Sequence, residues 1–180
     1  MKVSVYIATS LDGFIARENG ELDWLPGIDD SSDGKGEDFG YHEFMNSIDV
    51  LIMGRLTFET VRLFEPWPYG DKRVIVLSSQ PLQIPNDIPG TVESTSCPPA
   101  ELIQKLSKEN CQHIYIDGGK TIQSFLNAGL IEDMIITRIP VLIGSGIPLF
   151  GLLDKDKNLR HILTRTFENG FVQSKYELID

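Results

Sequence analysis

The sequence holds only two cysteines, Cys97 and Cys111, and no CxxC pair, Cys/His cluster or HExxH. A disulfide scaffold and a structural zinc site are therefore not expected; two reduced thiols in a cytoplasmic protein are. Basic residues are also scarce, 16 Lys and Arg against 26 Asp and Glu, which leaves a formal charge of -10. A nucleic-acid partner needs a dense cationic surface, and an anionic membrane surface asks for the same, so neither is expected. Long apolar runs are missing: the greasiest stretch, residues 134–143, is broken by Thr137, Arg138 and Pro140, short of the ~20 residues that span a bilayer. The opening MKVSVYIATSLDGFIA resembles neither a signal nor a transit peptide. Absent too are GxGxxG and GxxxxGK[ST], the usual phosphate-binding signatures. Any anionic ligand must then be held by a few well-placed cations or by helix N-termini.

What remains is an ordinary globular composition, 41% apolar and 23% charged over 180 residues, enough for one domain with a sizeable core. Short β-branched runs alternate with helical patterns. Residues 3–8 predict a strand, and a long segment of little periodicity follows over residues 9–35, of the kind that is usually functional. Tyr41, Phe44, Met45 and Ile48 fall at i, i+3, i+4 and i+7 and predict a helix starting near Glu37. DVLIM (49–53), RVIVL (73–77) and HIYID (113–117) read as strands covered on both faces. Residues 57–63, a segment opened by Pro98-Pro99, and residues 120–126 read as helices, the last closed by Gly129. A short strand is expected near residues 91–94 and another over residues 132–143. Two alternating runs meet at Asn169-Gly170, a strong hairpin signal. The fold class is α/β: one domain, a mostly parallel central sheet with helices on both faces and an antiparallel C-terminal hairpin.

In such sheets ligands bind beyond the carboxyl ends of the strands. Three ends carry suggestive residues. After HIYID comes Gly118-Gly119-Lys120-Thr121, where glycines admit a phosphate to the backbone at a helix start; a mere tight turn is the plainer alternative. After DVLIM comes Gly54-Arg55-Leu56-Thr57, with an arginine placed to meet an anion and Thr57 as the expected helix cap. After RVIVL comes Ser78-Ser79, two small hydroxyls of a kind that loops often carry. Together they fit a ligand with separated phosphates, such as a dinucleotide.

MGRLTFE (53–59) resembles the MGRxTxE segment of dihydrofolate reductases, and IDGGKTIQSFL (116–126) is similar to their second glycine segment. SLDGFIA and the stretch from Asp117 to Gly151 resemble the reductase domain of riboflavin biosynthesis more closely still. The resemblance runs from Val3 to Tyr176. It implies a three-layer dihydrofolate-reductase-like α/β/α fold that uses NADPH. By that resemblance Ala8 and Ile15 line the nicotinamide. Gly54, Arg55, Leu56 and Thr57 hold the adenosine-side phosphates, with Arg55, Leu77, Ser78 and Ser79 near the 2′-phosphate. Asp117, Gly118, Gly119, Lys120 and Thr121 cradle the pyrophosphate. Thr137 joins the substrate site, and a homodimer is implied.

Reducing a C=N or C=O bond needs a proton for the heteroatom, hence a carboxylic acid. The resemblance to folate reductases implies that it sits on the helix before the MGR strand, and a gapless count back from Met53 places Asp38 there; Glu43 and Asp12 are rivals, although an acid in a first helical turn or a turn-capping Asx is commonplace. Phe14, Trp24 and Phe39 would make an aromatic slot for a planar heterocycle, core packing being the commoner use. A ribose phosphate would require a cation, for which Arg17, Lys35, Lys72 and Arg73 are candidates. The chain departs from folate reductases at Asp23-Trp24-Leu25-Pro26, in an insert over residues 27–36, and in SLDGF where SLDGK is typical. His42, His113 and His161 are expected to be structural. The expected activity is reduction of a small heterocycle, most specifically 5-amino-6-(5-phosphoribosylamino)uracil. A pterin reductase and a silent NADPH-binding module are the alternatives.

Overall fold

The computed structural model describes residues 1–25 and 37–179; the insert at 27–36, and Lys35 with it, lies outside them. The strands are β1 (Lys2–Ser10), β2 (Phe14–Ala16), β3 (Val50–Gly54), β4 (Arg73–Leu77), β5 (Val92–Thr95), β6 (His113–Asp117), β7 (Asp133–Ile139), β8 (Ile147–Pro148), β9 (Asn158–Thr166) and β10 (Val172–Ile179). The helices are α1 (Tyr41–Asn46), α2 (Arg55–Val61), α3 (Pro99–Lys108) and α4 (Gly119–Asn127). Eight strands form one sheet in the order β5-β4-β3-β6-β1-β7-β10-β9, and β2 pairs with β8 in a small second sheet. The first six run parallel, whereas β10 is antiparallel to both β7 and β9. The chain winds outward from β1 to β5, returns as β6 beside β1, and leaves on the other side as β7. That reversal opens a crevice at the carboxyl ends of β6 and β1.

Alternation within the strands assigns the two faces. Val3 and Val5 of β1, Val50 and Ile52 of β3, and Ile114 and Ile116 of β6 pack with Leu102 and Leu106 of α3 and with Ile122, Phe125 and Leu126 of α4. On the opposite face Leu51, Met53, Val74, Val76 and Tyr115 meet Phe44 and Met45 of α1 and Phe58 and Val61 of α2. A period of two in the strands and about 3.6 in the helices produces these layers. Phe58 and Phe125 are fully buried, and each such side chain stabilises the fold by about 1.5–3 kcal/mol.

Four expectations change. The helix expected from Glu37 begins at Tyr41, because the Asp38 carboxylate accepts the Gly40 and His42 N–H groups and makes a turn of the preceding residues. Thr57 does not cap α2: the helix starts at Arg55 after an extended Gly54, which puts Thr57 inside the first turn. Part of the long segment expected after β1 is ordered by pairing, since β1 runs to Ser10 and Phe14–Ala16 pairs with β8. The strand expected to reach residue 143 stops at Ile139 before Pro140, which can donate no ladder hydrogen bond. No helix among the described residues is long and apolar enough to cross a membrane.

Candidate functional site

β4, β3 and β6 are neighbours, so their three carboxyl tips stand side by side. In register Met53 lies beside Asp117 and Gly54 beside Leu77. The residues singled out in the sequence are therefore brought together: Gly54–Arg55, Leu77–Ser78–Ser79 and Asp117–Gly118–Gly119. Their packing is close enough to require glycine. A Cβ on Gly118 would sit 2.3 Å from Thr57 Oγ1, and Gly118 has φ +87°, unfavourable for other residues. A Cβ on Gly119 would be 3.0 Å from the Pro148 carbonyl and 3.1 Å from Ile15 Cδ1. Thr57 and Ile15 thus buttress the tips, while Lys120 is exposed on α4 and Thr121 is buried against Gly54.

The Arg55 guanidinium donates to Gln80 Oε1 at 2.9 Å and lies 3.6 Å from Glu59. Ser78 Oγ donates to the Gln80 carbonyl at 2.7 Å and accepts the Gln80 N–H at 3.1 Å. Arg55 and the β4 tip are thereby held on one side of the crevice, with Ser79 and Leu56 exposed beside them. Sequence reasoning did not pick out Gln80, although it directly follows the serine pair.

Asp117 has a different character from the rest. Its half-buried carboxyl accepts the Gly118 N–H at 2.8 Å and the Tyr69 hydroxyl at 3.1 Å. Burial pushes its pKa above the ordinary carboxylate range, against the lowering effect of those two donors. Tyr41, Tyr69 and Tyr115 surround it on the α1 side, and burial, then the Asp117 charge, raises all three phenols. A carboxyl whose pKa is raised by burial, beside the glycine tips, is a candidate general acid.

The acids named from sequence are built differently. Asp38 is held below the usual carboxylate range by the Gly40 and His42 N–H groups and by the His42 ring at 2.7 Å. Asp12 is likewise lowered, chiefly by the Ser10 hydroxyl at 2.6 Å, and it ties the Ile143 and Gly144 N–H groups to the β1–β2 turn. Both are thus favoured in the ionised form. Glu43 points from α1 into solvent. The aromatic slot also divides: Trp24 and Phe39 join Ile139, Phe167, Phe171 and Ala8 in one cluster, whereas Phe14 sits apart, paired with Pro148. Three proposed phosphate cations are engaged elsewhere. Arg17 is clamped by both Asp23 oxygens, Lys72 donates to the Ile48 carbonyl, and Arg73 bridges Glu93 and Glu109.

Beside Ala8, in register across β1 and β7, lies Thr137. Its neighbour across β10 is Gln173, a buried amide that no sequence motif marked. Gln173 Nε2 lies 3.0 Å from the Tyr6 hydroxyl, 3.1 Å from the Phe39 carbonyl and 3.1 Å from Thr137 Oγ1. Arg165 of β9 pairs with Gln173 and so shares its face. Trp24 Nε1 is buried without an acceptor among the described residues.

A cavity of about 480 Å³ lies at the other end of the sheet, lined by Lys2, Asp133, Lys157 and Lys175 among others. Lys2 and Lys175 there already neutralise Asp133, which also accepts from Ser4, so it offers little to an anion. Among the described residues no group of three or more His, Cys, Asp or Glu could hold a metal.

The winding and the adjacent glycine tips define a dihydrofolate-reductase-like fold: Enterococcus faecalis dihydrofolate reductase, solved with NADP(H), superposes with TM-score 0.66 at 19% identity over 99% of this chain and 97% of its own. The chain belongs to the RibD C-terminal domain family, whose model matches residues 1–173. A protein of Shewanella sp. PV-4 named for riboflavin biosynthesis matches with TM-score 0.87 and 36% identity over 100% of both chains. The Thermotoga maritima diaminohydroxyphosphoribosylaminopyrimidine deaminase/5-amino-6-(5-phosphoribosylamino)uracil reductase matches with TM-score 0.71 and 14% identity, over 99% of this chain and 56% of that one. The domain is thus reductase-like.

Proposed function

We propose that this protein is an NADPH-dependent reductase of a small planar heterocycle. The observation that carries the reading is the adjacency of three strand tips, two presenting glycine backbone and one flanked by an arginine–glutamine pair. Those residues suit the cofactor. Gly118, at φ +87°, turns the chain into the start of α4, where phosphate oxygens are favoured. Arg55, fixed from one side by Gln80, keeps guanidinium donors for a 2′-phosphate, beside Ser78 and Ser79. Ala8 and Ile15 bound the nicotinamide side. When bound, the nicotinamide supplies a hydride. The chain's own part is to bind the phosphates at the tips, to orient the ring in the crevice, and to hold a proton on Asp117 for the reduced heteroatom.

Two substrates fit this chemistry. The name of the Thermotoga protein specifies 5-amino-6-(5-phosphoribosylamino)uracil, and family membership favours it. The engagement of Arg17, Lys72 and Arg73 with other partners favours instead a pterin-type ring without a phosphate. A cytoplasmic homodimer completes the proposal and rests on family resemblance alone. The test is NADPH oxidation, followed by its absorbance, with each substrate in turn. Consumption with either establishes a reductase and names its substrate class. Tight NADPH binding without turnover of either would make the protein a silent binding module.

A further inference from the structure

Gln173 has a buried amide, 5% exposed, on the face of the sheet opposite α3 and α4. Hydrogen-bond counting fixes its orientation. The Phe39 carbonyl can only accept, so the Gln173 atom 3.1 Å away must be nitrogen. Tyr6 gives its single hydroxyl hydrogen to the same carbonyl at 2.9 Å and therefore also accepts from Gln173. The third contact, Thr137 Oγ1 at 3.1 Å, again faces an NH2 group that has no lone pair to offer. The two amide hydrogens serve at most two of these three acceptors at once, but Thr137 can in no case donate to Gln173, and its own hydrogen finds no acceptor among the described residues. Thr137 is buried beside Ala8, at the end of the crevice assigned above to the nicotinamide and substrate. The Trp24 indole N–H, buried in the cluster that includes Ala8, is a second donor without a described acceptor.

We infer that Gln173 is a specificity-determining positioning residue: it forces the Thr137 hydroxyl to act as a donor toward the substrate ring. The site accordingly selects a ring that presents a carbonyl oxygen there and rejects one that presents an amino group, which would set donor against donor. This deepens the proposed function and rests on it for the location of the substrate. An exchange to glutamate keeps the shape and inverts the polarity. The carboxylate accepts from Thr137, turns its hydrogen inward and leaves only lone pairs for the ligand.

The test uses 5,6-diaminouracil and 2,4,5,6-tetraaminopyrimidine, which differ by exchange of two ring carbonyls for amino groups. Each is titrated calorimetrically into the full-length protein, with and without NADPH. The wild type is expected to prefer the uracil about tenfold, the scale of one hydrogen bond won against one donor left unpaired. Thr137→Val should erase that preference while keeping the shape of the side chain. Gln173→Glu should erase or reverse it at neutral pH, with recovery as the pH falls and the new carboxyl takes up a proton. Equal binding of both rings by the wild type, or an undiminished preference in either variant, overturns the inference. Failure of the functional reading shows separately, as absence of NADPH binding, while the ring preference in the titration without NADPH still decides the role of Gln173.

Discussion

Replacing Asp117 by asparagine separates the two roles its position allows. The amide oxygen can keep the Gly118 N–H bond seen at 2.8 Å, and the NH2 group can donate to the Tyr69 oxygen now 3.1 Å from Oδ2. Asparagine is therefore a near copy of the protonated acid, and unfolding in urea at neutral pH should change by no more than about 1 kcal/mol. The sign follows from the raised folded pKa. A carboxyl harder to ionise when folded withdraws stability as pH rises from its unfolded value through its folded one, so the variant should lose that part of the pH dependence. What the variant lacks is the transferable proton, and loss of a general acid lowers turnover roughly 10²- to 10⁴-fold. Steady-state NADPH oxidation beside an NADPH titration reads both quantities. Turnover at the wild-type rate removes Asp117 as the acid. Loss of NADPH affinity in parallel with turnover returns it to the cofactor-holding role first expected from the sequence.

Replacing Arg55 by alanine should weaken NADPH about 10- to 100-fold in equilibrium titration, the range of a charge-assisted contact, and leave NADH nearly unchanged; equal losses would exclude a 2′-phosphate role. Gly118→Ala should destabilise the fold by about 1–3 kcal/mol in urea unfolding, since φ is +87° and Thr57 Oγ1 lies 2.3 Å from the new Cβ. His113, wedged between Ser4 and Ser47, has its pKa lowered chiefly by burial and also by Lys2. A base harder to protonate when folded contributes stability that is complete above the unfolded value of about 6.5 and is lost as pH falls toward the lower folded pKa. His113→Gln should flatten the stability curve in that window. Phe125→Ala, in the fully buried face of α4, should cost about 3–5 kcal/mol in the same assay.

The layers were legible because burial on both faces leaves continuous apolar runs such as VLIM in β3 and VIV in β4, and because Asn169-Gly170 marks the hairpin between β9 and β10. The glycine tips were legible for a related reason: strand, glycine and helix start are contiguous in the chain, so Gly54–Arg55 and Gly118–Gly119 can be read without knowing which strands pair. Their adjacency could not be read, since it depends on β6 returning between β3 and β1. Which carboxyl has its pKa raised could not be read, because that environment is tertiary. Asp38 resembles a helix-initiating acid and behaves as one, whereas Asp117 is set apart by Tyr69, 48 positions away. Gln173 was invisible for the same cause, its partners Tyr6, Phe39 and Thr137 coming from three distant segments. The engagement of Arg17, Lys72 and Arg73 with other acceptors could not be read either, since Lys72 and Arg73 find theirs 20 or more positions away.

The most direct measurement is an amide NMR titration of the full-length protein with NADPH and, separately, NADH. The account expects the largest shifts at Gly54, Arg55, Ser78, Gly118 and Gly119, with tighter binding of the phosphorylated dinucleotide. Shifts gathered instead around Lys157 and Lys175 at the far end of the sheet, or no response to either dinucleotide, would contradict it.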